Sequence, residues 1–123
     1  MSEDYGSSAL KPAATPALIT TTLLDAVDYG LLAPGEIVRA TIYRRIEESY
    51  QIRREEIPDH LDTFYKALQE LLGKGAEVLR RLIVKNLYSR LDLEFTEHDN
   101  WTLVDYVHHA RTAETALTIS RAT

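Results

Sequence analysis

The sequence predicts an all-α fold, a compact bundle of about five helices with at most a tiny two-stranded patch. Apolar residues recur at spacings of three and four along most of the 123-residue chain, as they do on the buried face of a helix. Glycine and proline fall between these stretches, where helices end and begin. The chain has no cysteine, so neither a disulfide nor a thiolate-bound metal holds it together, and its 45% hydrophobic residues must form the core.

One domain is expected over residues 15–117. Residues 1–14 are rich in Ser, Ala and Pro without apolar periodicity, which predicts a flexible arm, and residues 118–123 are predicted to fray. No stretch has the roughly 18 apolar residues of a membrane span, and the polar start does not resemble a signal peptide. We therefore expect a cytoplasmic protein that does not contact a membrane.

The first helix is expected to begin at Thr15 and Pro16, because threonine caps helix amides and proline fits the first turn. It is predicted to run to about Tyr29, with Gly30 ending it in a left-handed conformation. Its predicted core residues share one side of the helix: Ile19, Leu23, Ala26 and Val27.

The second and third helices show the same kind of pattern. The second is expected over about residues 34–50, with an apolar stripe of Val38, Ile42, Ile46 and Tyr50. Residues 51–57 break the pattern, and Pro58 with Asp59 is predicted to start the third helix. The third has the clearest apolar face in the chain: Leu61, Phe64, Tyr65, Leu68, Leu71 and Leu72.

The fourth helix, over about residues 76–91, is expected to form a tight hairpin with the third through the Gly-Lys-Gly turn at 73–75. Its apolar residues lie on two opposite sides. One side carries Val78, Leu79, Leu82 and Ile83, and the other carries Val84, Leu87, Tyr88 and Leu91. Such a helix must be covered on both sides. It is therefore either the central helix of the bundle, or it is covered by a partner or a second copy.

The last helix is expected to begin near Thr102, whose spacing to Asp105 suits an N-terminal cap. Its apolar face consists of Leu103, Tyr106, Val107, Ala110, Ala113 and Leu117. In the preceding connection, Trp101 is expected to hold the loop against the bundle. Short alternating patterns at residues 50–53 and 91–96 are the origin of the predicted two-stranded patch.

The charge balance argues against nucleic acid as the main partner. Nineteen acidic and 14 basic residues give a net charge of −5, which opposes binding to phosphates. The alternative is a helix-turn-helix regulator in which the third and fourth helices form the motif and Arg80, Arg81 and Lys85 face the phosphates.

A second alternative is a metal-dependent enzyme. His98, Asp105 and His109 form its candidate metal site, because imidazole and carboxylate bind divalent ions and the last two are four residues apart on one helix. The sequence has no complete metal-binding motif and no glycine-flanked nucleophile. We therefore expect no catalytic residues and no cofactor.

The segment LLGKGAEVLRRLIVKNLYSRLDLEF, at residues 71–95, resembles the small helical archaeal domains described as Nitrosopumilus-type signal-output domains. The similarity also includes the glycine-containing link at 24–35, the turn at 56–58 and the run at 104–107. It covers about residues 23–108. The resemblance implies a helical fold and a signalling or effector role, and it implies no catalytic residue.

The favoured function is a non-catalytic interaction or signal-output module that docks a protein partner or itself. The predicted contact is the surplus apolar surface of the fourth helix with its neighbouring arginines, because apolar and arginine side chains are typical anchors of interfaces. Its residues are Arg80, Arg81, Val84, Tyr88 and Leu91.

Overall fold

The computed structural model describes residues 16–122, with side chains described for residues 18–114. These residues form five α-helices and one short 3-10 helix, and they contain no β-strand. The all-α prediction is confirmed, and the two-stranded patch does not form within residues 16–122. The elements are α1 (Pro16–Leu32), α2 (Glu36–Tyr50), the 3-10 helix (Arg54–Asp59), α3 (Leu61–Leu72), α4 (Gly75–Arg90) and α5 (Leu103–Ala122).

The helix α4 is at the centre of the bundle, where it packs against α1, α3 and α5 and most extensively against α1. Both of its apolar sides are buried except at Val78, which is 58% exposed near the start of the helix. Leu79 and Ile83 lie on one side, and Val84 and Leu87 lie on the other. Of the two explanations for its two-sided apolar surface, the structure supports the central helix, because helices of the same chain cover both sides.

The predicted end of α1 at Gly30 is wrong. The helix continues through Gly30 to Leu32, and Gly30 is buried against α4. A Cβ atom at this position would lie 2.5 Å from Ile83 Cγ1 and 3.3 Å from its backbone nitrogen. Glycine is therefore needed here because α4 approaches the α1 backbone closely, and not because the helix ends.

The helix α2 begins two residues later than predicted, after Gly35, whose φ of 121° is unfavourable for other residues. Gln51 ends it in the left-handed conformation. The predicted start of the third helix at Pro58 is also too early, because Pro58 lies within the 3-10 helix. The helix α3 begins at Leu61.

The start of α5 agrees with the prediction. The Thr102 N–H donates to the Asp105 carboxylate at 2.9 Å, and the Asp105 N–H donates to Thr102 Oγ1 at 3.2 Å. This reciprocal pair satisfies amides that a helix start leaves without partners. The helix extends past Leu117, where its end was predicted, to Ala122. The predicted arm at residues 1–14 lies outside the described residues.

None of the helices in the described chain combines the length and the apolar content that crossing a bilayer requires.

Candidate docking surface

The apolar residues predicted to form an interface on α4 are in the core. Val84, Tyr88 and Leu91 are each at most 9% exposed. The helix α5 covers this side of α4, and the Tyr88 hydroxyl donates to the Tyr106 carbonyl oxygen at 2.8 Å. The prediction that these three residues lie on an exposed contact surface is therefore wrong, because α5 covers the side of α4 on which they lie.

The cations predicted to face phosphates each contact a group of the same chain. Arg80 is buried, lies 3.2 Å from the Glu77 carboxylate and has its guanidinium 5.6 Å from the centre of the Tyr106 ring. The other contacts are Arg81 with Glu97 at 3.1 Å and Lys85 over the Phe95 ring at 5.8 Å. Binding a phosphate would require these contacts to be exchanged, so the structure does not favour the helix-turn-helix alternative.

The predicted metal ligands are not brought together. Within residues 16–122, no group of three histidine or acidic side chains is arranged to hold a metal ion. The His98 ring stacks on the Trp101 ring with their centres 3.8 Å apart. The Asp105 carboxylate accepts the Thr102 N–H as a helix cap. These two side chains therefore have structural contacts, and no site forms with His109.

The loop between α4 and α5 is held by aromatic residues, as predicted for Trp101. The Trp101 ring meets the Tyr106 ring edge-on, with their centres 5.0 Å apart. The Tyr106 hydroxyl accepts the His98 N–H at 2.8 Å and donates to the His98 carbonyl oxygen at 3.1 Å. The Tyr88 ring contacts the Tyr106 ring, and burial raises the pKa of Tyr88 to about 12. This cluster explains why a connection without regular structure stays against the bundle.

An ionic cluster joins α1 to α2 and to the 3-10 helix. The Asp28 carboxylate accepts hydrogen bonds from Arg54 Nε at 2.9 Å, from Arg54 Nη2 at 2.5 Å and from the Tyr43 hydroxyl. Burial alone would raise the pKa of Asp28, but the hydrogen bonds from Arg54 and Tyr43 outweigh it and lower this pKa below its usual value. The groups satisfy one another, so we assign the cluster a structural role.

The exposed apolar side chains are concentrated near α1. Six large apolar side chains of the described chain are exposed, and four of them fall within residues 18–37. They are Leu18, Tyr29, Leu32 and Ile37, while the other two are Val78 and Val104. A concentration of this kind is typical of an interaction surface, whereas single exposed apolar residues are ordinary.

The exposed apolar residues of α1 lie on one side of the helix. At 100° per residue, its solvent side contains five residues within a sector of about 80°. We call these five residues the outer face of α1: Leu18, Thr22, Asp25, Tyr29 and Leu32. They extend over roughly 21 Å at 1.5 Å per residue.

The outer face has few polar groups. The Thr22 hydroxyl donates to the Leu18 carbonyl oxygen of the same helix at 2.9 Å. The whole of α1 has 17 residues and only two charged ones, Asp25 and Asp28, and Asp28 is used in the ionic cluster. Among the described residues, Asp25 has no ion pair or hydrogen-bond partner. The outer face is therefore apolar at both ends, and the one negative charge between them has no partner within the described part of the chain.

The sequence contains a signal for this face in addition to the periodicity that predicts the buried side of α1. The buried side was identified correctly, since Ile19, Leu23 and Val27 are all in the core. The periodicity of these core residues makes no prediction for the opposite side. The scarcity of charge in α1, compared with the charged outer sides of α2 and α3, is the feature that indicates a second contact.

Comparisons of the chain with models of protein families, with curated proteins and with solved structures found no match.

Proposed function

We propose that this chain is a non-catalytic interaction module that docks another protein through the outer face of α1. The observation that carries the proposal is the placement of Leu18, Tyr29 and Leu32 on the solvent side of α1, where the charge of Asp25 has no ion-pair partner among residues 16–122. Burying such surface is the main favourable term in protein association, and tyrosine is a frequent anchor.

The resemblance of residues 23–108 to signal-output domains agrees with this role, since an output domain acts by contacting a partner. A cytoplasmic setting is part of the same proposal and fits a chain without cysteine.

The proposal specifies a different protein and not a second copy of this chain. Asp25 lies midway between Leu18 and Leu32, so pairing of two outer faces about a two-fold axis would place the two Asp25 carboxylates together. Like charges in contact oppose association, and the net charge of −5 on each copy adds to the repulsion. A partner that carries positive charge meets neither obstacle.

Photo-cross-linking tests the proposal. A benzophenone amino acid replaces Tyr29, and the full chain is expressed and irradiated in its native cells. Val78 on α4 is the matched control, because its exposure of 58% is close to the 53% of Tyr29 and it is also apolar. We expect an adduct between this chain and one other protein from position 29 and not from position 78.

The mass of the adduct distinguishes the occupants of the face. A product with the mass of two copies would show self-association, and an internal cross-link to residues 1–15 would show that the chain covers its own face. Either result would contradict the proposal. Equal adducts from positions 29 and 78 would also contradict it, because they would indicate unspecific contact.

A further inference from the structure

We infer that the partner presents an amphipathic helix with a lysine or arginine at its centre, which packs along the outer face of α1 opposite Asp25. The inference rests on the proposed function and specifies the chemistry of the partner. It follows from three features of the outer face, which are its spacing, its shape and the position of its charge.

The spacing is that of a helix-packing seam. Leu18, Thr22, Asp25, Tyr29 and Leu32 follow one another at intervals of four, three, four and three residues. Intervals of this kind place side chains along a seam that a second helix meets at a crossing angle of about 20°. Leu18 and Leu32 lie at the two ends of this seam, and Tyr29 follows its centre. Side chains of these types pack into the gaps between side chains of a facing helix.

The shape favours a helix over an extended strand. The outer face is the convex side of a helix, and among the described residues it has no sheet edge beside it to which a strand could add. Its length of roughly 21 Å corresponds to about four turns of a partner helix. A helix of that length can contact Leu18 and Leu32 at the same time.

The charge defines one position of the partner. Asp28, one turn after Asp25, is neutralised by Arg54 within the chain, but Asp25 has no such partner among the described residues. An apolar contact over the whole face would remove water from the Asp25 carboxylate and leave it unpaired, which is unfavourable. A partner cation opposite Asp25 removes this cost and sets the register between the two helices, as a single polar seam position does in coiled coils.

Two synthetic peptides test the inference. Each is a helix of three heptads with leucine at the seam positions, except that the central seam position is lysine in one peptide and glutamate in the other. Binding of each labelled peptide to the full chain is measured by fluorescence anisotropy, at concentrations where the peptide alone is monomeric. We expect the lysine peptide to bind at least fivefold more tightly, with the difference decreasing as salt is added.

Charge reversal gives the decisive control. Asp25→Lys is expected to reverse the preference, so that the glutamate peptide binds more tightly. Asp62→Lys, at an exposed acid on α3, changes the net charge equally and is expected to leave the preference unchanged. Circular dichroism verifies that both variants keep the helical content of the natural chain.

The outcomes separate this inference from the proposed function. Equal binding of the two peptides, or a preference that Asp62→Lys reverses as well as Asp25→Lys does, would overturn the inference. Failure of both peptides to bind would overturn it too. None of these results affects the cross-linking from position 29, which tests the proposed function independently.

Discussion

Gly30 lies where the backbone of α1 comes close to α4, and its lack of a side chain makes that approach possible. The atoms nearest to a Cβ at this position are Cγ1, the backbone nitrogen and Cα of Ile83. These atoms are held close to the α4 backbone and cannot move aside as the end of a long side chain can. Close packing of this kind makes α1 and α4 the most extensive helix pair in the bundle. The same contact fixes the rotation of α1 and therefore which of its residues face solvent.

Gly30→Ala is expected to lower the free energy of unfolding by about 1–2 kcal/mol. The overlap with Ile83 costs about 1–3 kcal/mol, and the better helix propensity of alanine returns at most about 1 kcal/mol. Urea denaturation followed by circular dichroism measures the difference. Gly75→Ala is the matched control, because its Cβ would lie at an ordinary 3.6 Å from Leu72 Cβ, and it is expected to be neutral or stabilising. A stabilising effect of Gly30→Ala would contradict the close approach.

Among the elements, α1, α2 and the 3-10 helix are joined by the ionic cluster around Asp28 in addition to their apolar contacts in the core. Replacing Asp28 with asparagine removes the charge that both Arg54 and Tyr43 contact. We expect Asp28→Asn to reduce the free energy of unfolding by about 1–2 kcal/mol at neutral pH, a range that allows for the partial exposure of the pair. Asp25→Asn removes a charge that has no partner among the residues the structure describes, and it is expected to change the free energy of unfolding by less than about 0.5 kcal/mol.

The effect of Asp28→Asn depends on pH in a defined direction. The pKa of Asp28 in the folded chain is lower than the ordinary value of 3.8, so the ionised form stabilises the fold. This contribution is fully present above pH 3.8 and is lost as the pH falls through the lower folded-state pKa. The unfolding free energies of the natural chain and of the Asp28→Asn variant, measured from neutral pH into acid, should therefore converge below pH 3.8. A difference that stays constant into strong acid would contradict the assignment.

Comparison of the helices shows what their sequences could predict. The buried sides of α1 and α3 follow from periodicity, because a helix with one apolar side has only one way to face a core. For α4, the sequence predicts that other residues bury both of its sides, but it does not identify those residues. The second side is buried by Tyr106 and its neighbours on α5, which are distant in sequence. The prediction for Gly30 fails for a related reason, since a glycine that ends a helix and one that allows close approach of another helix differ only in their tertiary surroundings.

The whole molecule has two apolar surfaces that are similar in sequence but differ in how they are covered. Other helices of the chain cover the second side of α4, whereas none of residues 16–122 covers the outer face of α1. The docking proposal depends on this distinction, because only an open face is available to a partner. The chain has no cysteine, so a thiol introduced at one position reports on that position alone.

The most direct test is the rate at which single thiols, introduced by Tyr29→Cys, Val84→Cys and Ile37→Cys, react with a disulfide reagent in the purified folded chain. Ile37 is 82% exposed and gives the rate for an open position. We predict that the thiol at position 29 reacts within about tenfold of that rate. The thiol at position 84 should react at least about 100-fold more slowly, because it must wait for the structure to open. Protection at position 29, or fast reaction at position 84, would contradict the account.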